Sequence, residues 1–405
     1  MKKRRKIILI SFSALLGVIM IVGVSYYMHI RSKIYNNFTY DIKEETYELD
    51  EGENKEEETY ESEEEENNEE KQEVSYDEIE GITNILLVGI DARDINEPSR
   101  SDAIIIATID NNNKNLKFTS IMRDSYVEIK GLGETKINAA YAKGGVALLI
   151  DTIERNFNLK LDKYVVVNFF GFQDIVDALG GVEVDIKDYE VEEINKYIGE
   201  VNESKSPKIE KSGINYLDGQ GALAYTRIRN VGDGSYERTK RQREVMKLIA
   251  YKLKDISLVQ YPYVLGKISN YIKTNIEPMN MINYGYTVSK FDPLKIEQLQ
   301  IPVNELSYGS VYKGSWVILM DKKQNSNILL DFILNNKILD EKNIDKASAK
   351  KELDKYLKVD NKDSKTNKKQ TKVKNKPEVK PYNNEDSFKK DEYDDYDAEE
   401  VIDFE

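Results

Sequence analysis

The 405-residue chain has no cysteine and a single histidine, His29. The first absence excludes a disulfide framework, a thiolate metal site and a cysteine nucleophile. The second removes His-based triads and His-ligated zinc, and the common hydrolase machineries go with them. Arginine is scarce in a lysine-rich chain: there are twelve, and none follows Arg243. There are no internal repeats. The charge is unbalanced, with 73 acidic against 59 basic residues and a formal net charge of −14. Spread evenly, that charge would repel nucleic acid. It is not spread evenly. Residues 41–80 hold 21 acidic residues against Lys43, Lys55 and Lys71, a local −18 that leaves +4 for everything else.

At the N-terminus Lys2-Lys3-Arg4-Arg5-Lys6 precedes an uncharged apolar run over residues 7–28. About 20 such residues cross the hydrocarbon core as a helix. Five basic residues before the run, against Arg31 and Lys33 after it, place residues 1–6 in the cytoplasm and the remainder outside. A cleaved secretory signal is the competing reading, but the run is too long and no small-x-small site follows it. The expectation is a single-pass protein of the cell membrane, with His29 at the membrane edge. Residues 34–80, with Glu63-Glu64-Glu65-Glu66 and hardly any aliphatic side chains, read as a disordered acidic spacer. Calcium binding is the weaker reading of that segment. Residues 341–405 are lysine-rich and then acidic, and read as a disordered tail whose basic half could touch anionic wall polymers.

Between these lies a folded domain. Continuous apolar runs at 84–90, 103–109 and 116–121 predict strands buried on both faces, with Asp110-Asn111-Asn112-Asn113-Lys114 as a hairpin turn. Helices are expected over 145–157, 170–179 and 237–254, and strands over 164–168 and 182–185. Strands alternating with helices imply an α/β fold, a three-layer α-β-α sandwich with a mixed central sheet. It should occupy 81–310, with an extension over 311–340.

Three arginines flank the membrane segment (Arg4, Arg5, Arg31). The others are Arg93, Arg100, Arg123, Arg155, Arg227, Arg229, Arg238, Arg241 and Arg243. A chain that favours lysine yet keeps arginine in one domain uses the planar bidentate fork there, and the natural target of several forks is a phosphate or pyrophosphate. If 225–229 is extended, Arg227 and Arg229 share a face. On the helix that follows, Arg238, Arg241 and Gln242 form one polar stripe. For Arg155 and Arg243 a solvated helix face is the better reading. Asp91 ends the first strand, Asp102 opens the second and Asp124 follows the third. Carboxylates at strand ends beside arginines suit an oxygen-liganded cation such as Mg²⁺ shared with substrate phosphates.

Six ordered segments carry a resemblance: Leu87-Val88-Gly89-Ile90-Asp91, Arg100-Ser101-Asp102, Ser120-Ile121-Met122-Arg123-Asp124, Lys136-Ile137-Asn138-Ala139-Ala140-Tyr141, the stretch 218–229 and Arg238-Thr239-Lys240-Arg241-Gln242. They resemble the LytR–CpsA–Psr family across about residues 81–250, arguably to about 310. The resemblance implies an extracytoplasmic phosphotransferase. Such an enzyme moves a glycopolymer from an undecaprenyl-pyrophosphate-linked donor to peptidoglycan, forming a phosphodiester and releasing undecaprenyl phosphate. It implies that Asp91 and Asp102 hold Mg²⁺, and that Arg100, Arg123, Arg227, Arg229, Arg238 and Gln242 clamp the pyrophosphate with Arg241 close by. Arg100, Arg123, Arg227, Arg229 and Asp102 are the residues expected to carry catalysis, with Lys136 in support. Asp102 or Asp124 is the candidate acceptor of the attacking hydroxyl's proton. The apolar stretch 165–179 lines a lipid tunnel or is ordinary core. Met122 stands where the family usually has proline, and Asp233 is spaced loosely before Arg238. The donor polymer (teichoic acid, capsule or another) is left open. The alternatives are a lipid-pyrophosphate pyrophosphatase, or a non-catalytic anchor or regulator that binds wall polymer. Nucleic-acid binding conflicts with the outward topology.

Overall fold

The computed structural model describes residues 18, 20–33, 35, 80–203 and 206–366. The acidic segment over 36–79, most of the expected membrane helix before residue 20 and the tail beyond 366 lie outside the described residues. Contacts divide the chain into Met1–Asp360 and Asn361–Glu405. The fold below is that of the first unit; in the second, residues 361–366 are helical.

The three apolar runs become β1 (Ile82–Ile90), β2 (Ser101–Asp110) and β3 (Asn115–Ile121), an antiparallel meander. β6 (Lys163–Val167) lies parallel to β1, β10 (Lys295–Ile301) lies parallel to β3, and β9 (Ile272–Thr274) closes the other edge antiparallel to β6. The order is β10-β3-β2-β1-β6-β9, a mixed sheet. Alternation along each strand sends side chains to both faces. Leu86, Val88, Ile104 and Ile106 meet α2 (Asn138–Phe157) and α9 (Lys322–Leu334) through Leu149, Ile153, Leu329 and Phe332. Ile85, Ile105, Ala107 and Phe118 meet α6 (Ser235–Asp255) and α8 (Pro278–Ser289) through Ala250, Met246 and Met281. The result is the expected three-layer arrangement. A further apolar cluster joins the hairpin β7 (Val182–Ile186) and β8 (Gly213–Leu217) to α3 (Phe169–Ala178), α4 (Val191–Tyr197) and α5 (Gly219–Arg227).

Two expectations change. The 225–229 stretch is not extended, because Asp218 caps α5 by accepting from Gly221 N at 2.8 Å, and residues 219–227 coil into a helix. Gly219 is required there: a Cβ would stand 2.2 Å from the Gln173 carbonyl oxygen. The chain from 341 is also not a tail throughout. The hairpin β11 (Ser307–Tyr312) and β12 (Ser315–Met320) and α9 lead into α10 (Lys346–Thr366). On α10, Ala349 is buried, and Tyr356 packs edge-on against Tyr126 and Tyr312, with ring centroids 6.1 and 5.8 Å away. Ala349, Leu353 and Tyr356 fall at i, i+4 and i+7, an apolar stripe thin enough to be masked by the surrounding lysines.

Residues 20–33 form a helix, α1, whose Met20, Ile21, Val22, Val24 and Met28 are all more than half exposed. Among the described residues no helix is long and apolar enough to cross a membrane.

Candidate active site

The site forms where β1, β2 and β3 run out. β1 and β2 shift register between Gly89 and Ile90, and Asp91 N then reaches the Arg100 carbonyl oxygen at 3.5 Å. β2 and β3 pair Ile104 with Ile121, so two further residues bring Asp102 opposite Arg123. The pairing continues as an ion pair, with Arg123 Nη1 donating to Asp102 Oδ1 at 2.6 Å. Arg238, one turn into α6, donates through Nη2 to the other oxygen, Oδ2, at 2.7 Å. Asp124 is held by Arg123 Nε at 3.4 Å and by Lys136 Nζ at 3.2 Å. Asp102, Arg123, Asp124, Arg238 and Gln242 line one small cleft together with Ser235 and Thr239. A larger cavity, about 400 Å³, lies at the start of β1 and β6 around Glu80, Thr83 and Lys163, with no arginine in its lining.

Burial opposes ionisation of Asp102, but the guanidiniums of Arg238 and Arg123 outweigh it and hold the carboxyl at about 2. Asp91 moves the other way. Partial burial and then the charge of Asp102 raise it, against the pull of Arg227 and Arg238. Burial lowers the proton affinity of Arg238, and the nearby Arg123 and Arg229 push in the same direction, partly offset by Asp102. These mutual influences put Asp91, Asp102, Arg123, Arg227, Arg229 and Arg238 in one electrostatic neighbourhood.

Arg227 ends α5. Its guanidinium lies over the rings of Phe169 (4.9 Å) and Tyr197 (5.5 Å), and its Nη1 is 2.9 Å from Glu200 Oε2. Glu200 is therefore the ion-pair partner of Arg227, although Nη1 makes no hydrogen bond to it. Arg238 Nε is buried without an acceptor. A buried unmet donor costs about 1–3 kcal/mol. An unmet donor on Arg238 among several other guanidiniums is an arrangement suited to an anion. Arg100 and Arg229 are exposed and have no side-chain partner among the described residues.

Not every predicted arginine joins this group. Arg241 is 3% exposed and already saturated, donating to Glu190 (2.6 Å), Glu237 (2.6 Å) and the Ile228 carbonyl oxygen (3.1 Å). It ties the α5–α6 connection to the turn Asp188–Glu190 rather than facing the cleft, so the stripe of Arg238, Arg241 and Gln242 is split. Arg243 is not on a solvated face. It is 8% exposed, burial pushes its pKa down to about 10, and Nε and Nη1 lack partners. The reason is its helix face: Thr239 and Met246, at i−4 and i+3, meet the sheet, Thr239 through Gln300 at 2.7 Å. Arg155 pairs with Asp151 along α2 at 2.8 Å. Asp233 contributes its backbone carbonyl to the turn before α6. In the stretch 165–179, Val166 and Val176 are core residues of separate clusters. Glu200, Phe169 and Tyr197 escaped the sequence reading, because nothing in their local pattern shows that they surround Arg227.

The profile of the LytR_cpsA_psr family matches residues 47–331. The chain is 30% identical over 259 residues to the regulatory protein MsrR of Staphylococcus aureus, covering 63% of this chain and 75% of that protein. It is 38% identical over 215 residues to the polyisoprenyl-teichoic acid–peptidoglycan teichoic acid transferase TagU of Bacillus cereus, covering 52% and 66%. Among solved structures, the Bacillus subtilis protein YwtF (TagT) with bound octaprenyl pyrophosphate superimposes with a TM-score of 0.50 at 27% identity, covering 64% of this chain and 95% of that one.

Proposed function

The chain belongs to the LytR_cpsA_psr family, and on that premise we propose that it is a membrane-anchored, extracytoplasmic phosphotransferase. It transfers a glycopolymer from an undecaprenyl-pyrophosphate-linked donor to peptidoglycan. The observation that carries this reading is the unmet buried donor Arg238 Nε, with Arg123 and Arg227 in the same electrostatic neighbourhood as the Asp91 and Asp102 carboxylates. TagU is named as a teichoic acid transferase and TagT holds a polyprenyl pyrophosphate, which supports the same donor class here.

Phosphoryl transfer needs positioning and charge neutralisation more than covalent help, so arginines suffice without histidine or cysteine. Arg238 takes the pyrophosphate on its free Nε–H beside Arg227, with Arg123, Arg100, Arg229 and Gln242 around it. The acceptor hydroxyl attacks the phosphorus nearest the glycopolymer, the P–O bond to the lipid phosphate breaks, and the departing lipid phosphate carries off the hydroxyl's proton as a phosphodiester forms. Asp102 is a poor proton acceptor, since two arginines hold it ionised down to about 2; it positions them instead.

Asp91 and Asp102 also fit a Mg²⁺ ion. Asp102 raises the proton affinity of Asp91, and a cation between the two carboxylates relieves that repulsion. Two carboxylates leave further positions of such an ion for substrate phosphate oxygens. When bound, such an ion neutralises charge on the transferred phosphate.

The test supplies the purified full chain with a lipid-pyrophosphate-linked glycopolymer and Mg²⁺, with and without peptidoglycan. A covalent glycan–peptidoglycan product and free polyprenyl phosphate are expected. Hydrolysis of the donor with no covalent product makes it a pyrophosphatase. Polymer binding without turnover makes it a non-catalytic anchor.

A further inference from the structure

Helix α1 is fastened to the domain it precedes. Arg31 donates through Nε to Glu277 at 2.7 Å, Tyr27 Oη donates to the same carboxylate at 3.3 Å, and Lys33 Nζ donates to Asn270 at 2.9 Å. Ile30, 4% exposed, completes an apolar cluster with Ile268 and Ile272. Tyr26 Oη donates to the Pro262 carbonyl oxygen at 3.2 Å. Following α1 back from Lys33 to Tyr26, the partners run back from Asn270 to Pro262, so α7 (Tyr261–Ile268) lies parallel to α1. The start of α7, and the turn Leu258–Gln260 before it, therefore point along α1 toward its apolar end.

That end of the domain is unusually apolar at its surface. Val259 is 86% exposed and Tyr263 56%, with the Lys267 ammonium 5.7 Å from the Tyr263 ring centroid. An exposed aliphatic, a tyrosine and a lysine beside an apolar helix make the composition of a membrane interface. Tyr35 bridges to Thr274 of β9, β9 pairs with β6, and β6 pairs with β1, so residues 35 and 80 both border the same sheet.

We propose that the domain sits directly on the outer leaflet of a phospholipid bilayer through Val259 and Tyr263, held there by the Arg31–Glu277 clasp. The length of residues 36–79 does not set its height. This rests on the membrane-anchored reading above.

The absence of cysteine makes the test clean. Val259→Cys, and as a control Val311→Cys on β11, each carry one environment-sensitive fluorophore on the full chain in phosphatidylglycerol–phosphatidylcholine vesicles containing spin-labelled lipid. Quenching at position 259 several-fold stronger than at 311 is expected. It should be lost on adding Arg31→Glu and retained on deleting residues 41–79. Equal, weak quenching at both positions overturns the seating, as does quenching at 259 that appears only after the deletion. Either result leaves the transferase reading untouched if the protein incorporates and turns over donor. Failure to incorporate overturns the anchor and the seating together.

Discussion

At the turn end of β2 and β3, Asp110 and Lys117 pair at 2.9 Å with both side chains 0% exposed. At the open end of the same two strands, Asp102 and Arg123 pair at 2.6 Å with 17% and 25% exposed. The turn-end pair is closed: Asp110 also accepts from Asn113 through backbone and side chain, and Lys117 also donates to the Ile333 carbonyl oxygen. The open-end cluster is unfinished, with Arg238 Nε left over. Identical strands thus carry one ion pair that serves the fold and one that is free to serve a ligand. What separates them is whether the donors are used up.

The comparison breaks most visibly at the closed end. Lys117→Met leaves Asp110 buried without its cation, and a loss of about 3–5 kcal/mol in urea unfolding is expected, with transfer per folded molecule retained. A loss within the noise of the measurement would mean that the pair is not structural. At the open end the pattern should invert. Arg227→Ala is expected to lower transfer about 10²–10³-fold, the usual cost of one donor to a developing charge, with little change in melting temperature; equal activity would remove Arg227 from the site.

Asp102 belongs to both categories, since it organises two arginines that line the cleft. Its carboxyl is held at about 2, below the usual carboxylate value, so its contribution is complete above about pH 4 and is lost as pH falls through 2. The shift corresponds to about 2 kcal/mol. Asp102→Asn should therefore lose about that much at neutral pH and flatten the acid limb of the stability profile between pH 4 and 2. An unchanged acid limb would assign that limb to other carboxylates. The smallest effect belongs to a solvated pair: Lys247, 3.0 Å from Glu244 on α6, should cost about 0.5 kcal/mol or less as Lys247→Ala, with transfer unchanged.

Much of this site was legible because its parts sit where local pattern points. Continuous apolar runs identify the buried strands, and Asp91, Asp102 and Arg123 follow from being at their ends. Residues on helices were harder to place. Arg241, Gln242 and Arg243 are adjacent in sequence and face a salt-bridged turn, the cleft and the sheet respectively. Periodicity says which residues share a face but not what that face meets. Tyr225–Arg227 is helical where an extended stretch was one option, because the cap at Asp218 and the fit of Gly219 against Gln173 on α3 settle it in three dimensions. The stripe on α10 is not legible locally, because three apolar residues among many lysines become a packing face only where Tyr126 and Tyr312 receive them.

By itself the sequence determined the chemistry available: no thiol, one histidine, and arginines and aspartates concentrated in a nearly neutral domain beside an apolar N-terminal run. That is composition and short-range order, which do not depend on folding. The tertiary structure alone decided which of those arginines are spent and which are free, and where α1 meets the domain. Saturation of a charged group depends on partners far away in the chain, as Glu190 is to Arg241 and Glu277 to Arg31. Only the folded chain brings them within hydrogen-bonding distance.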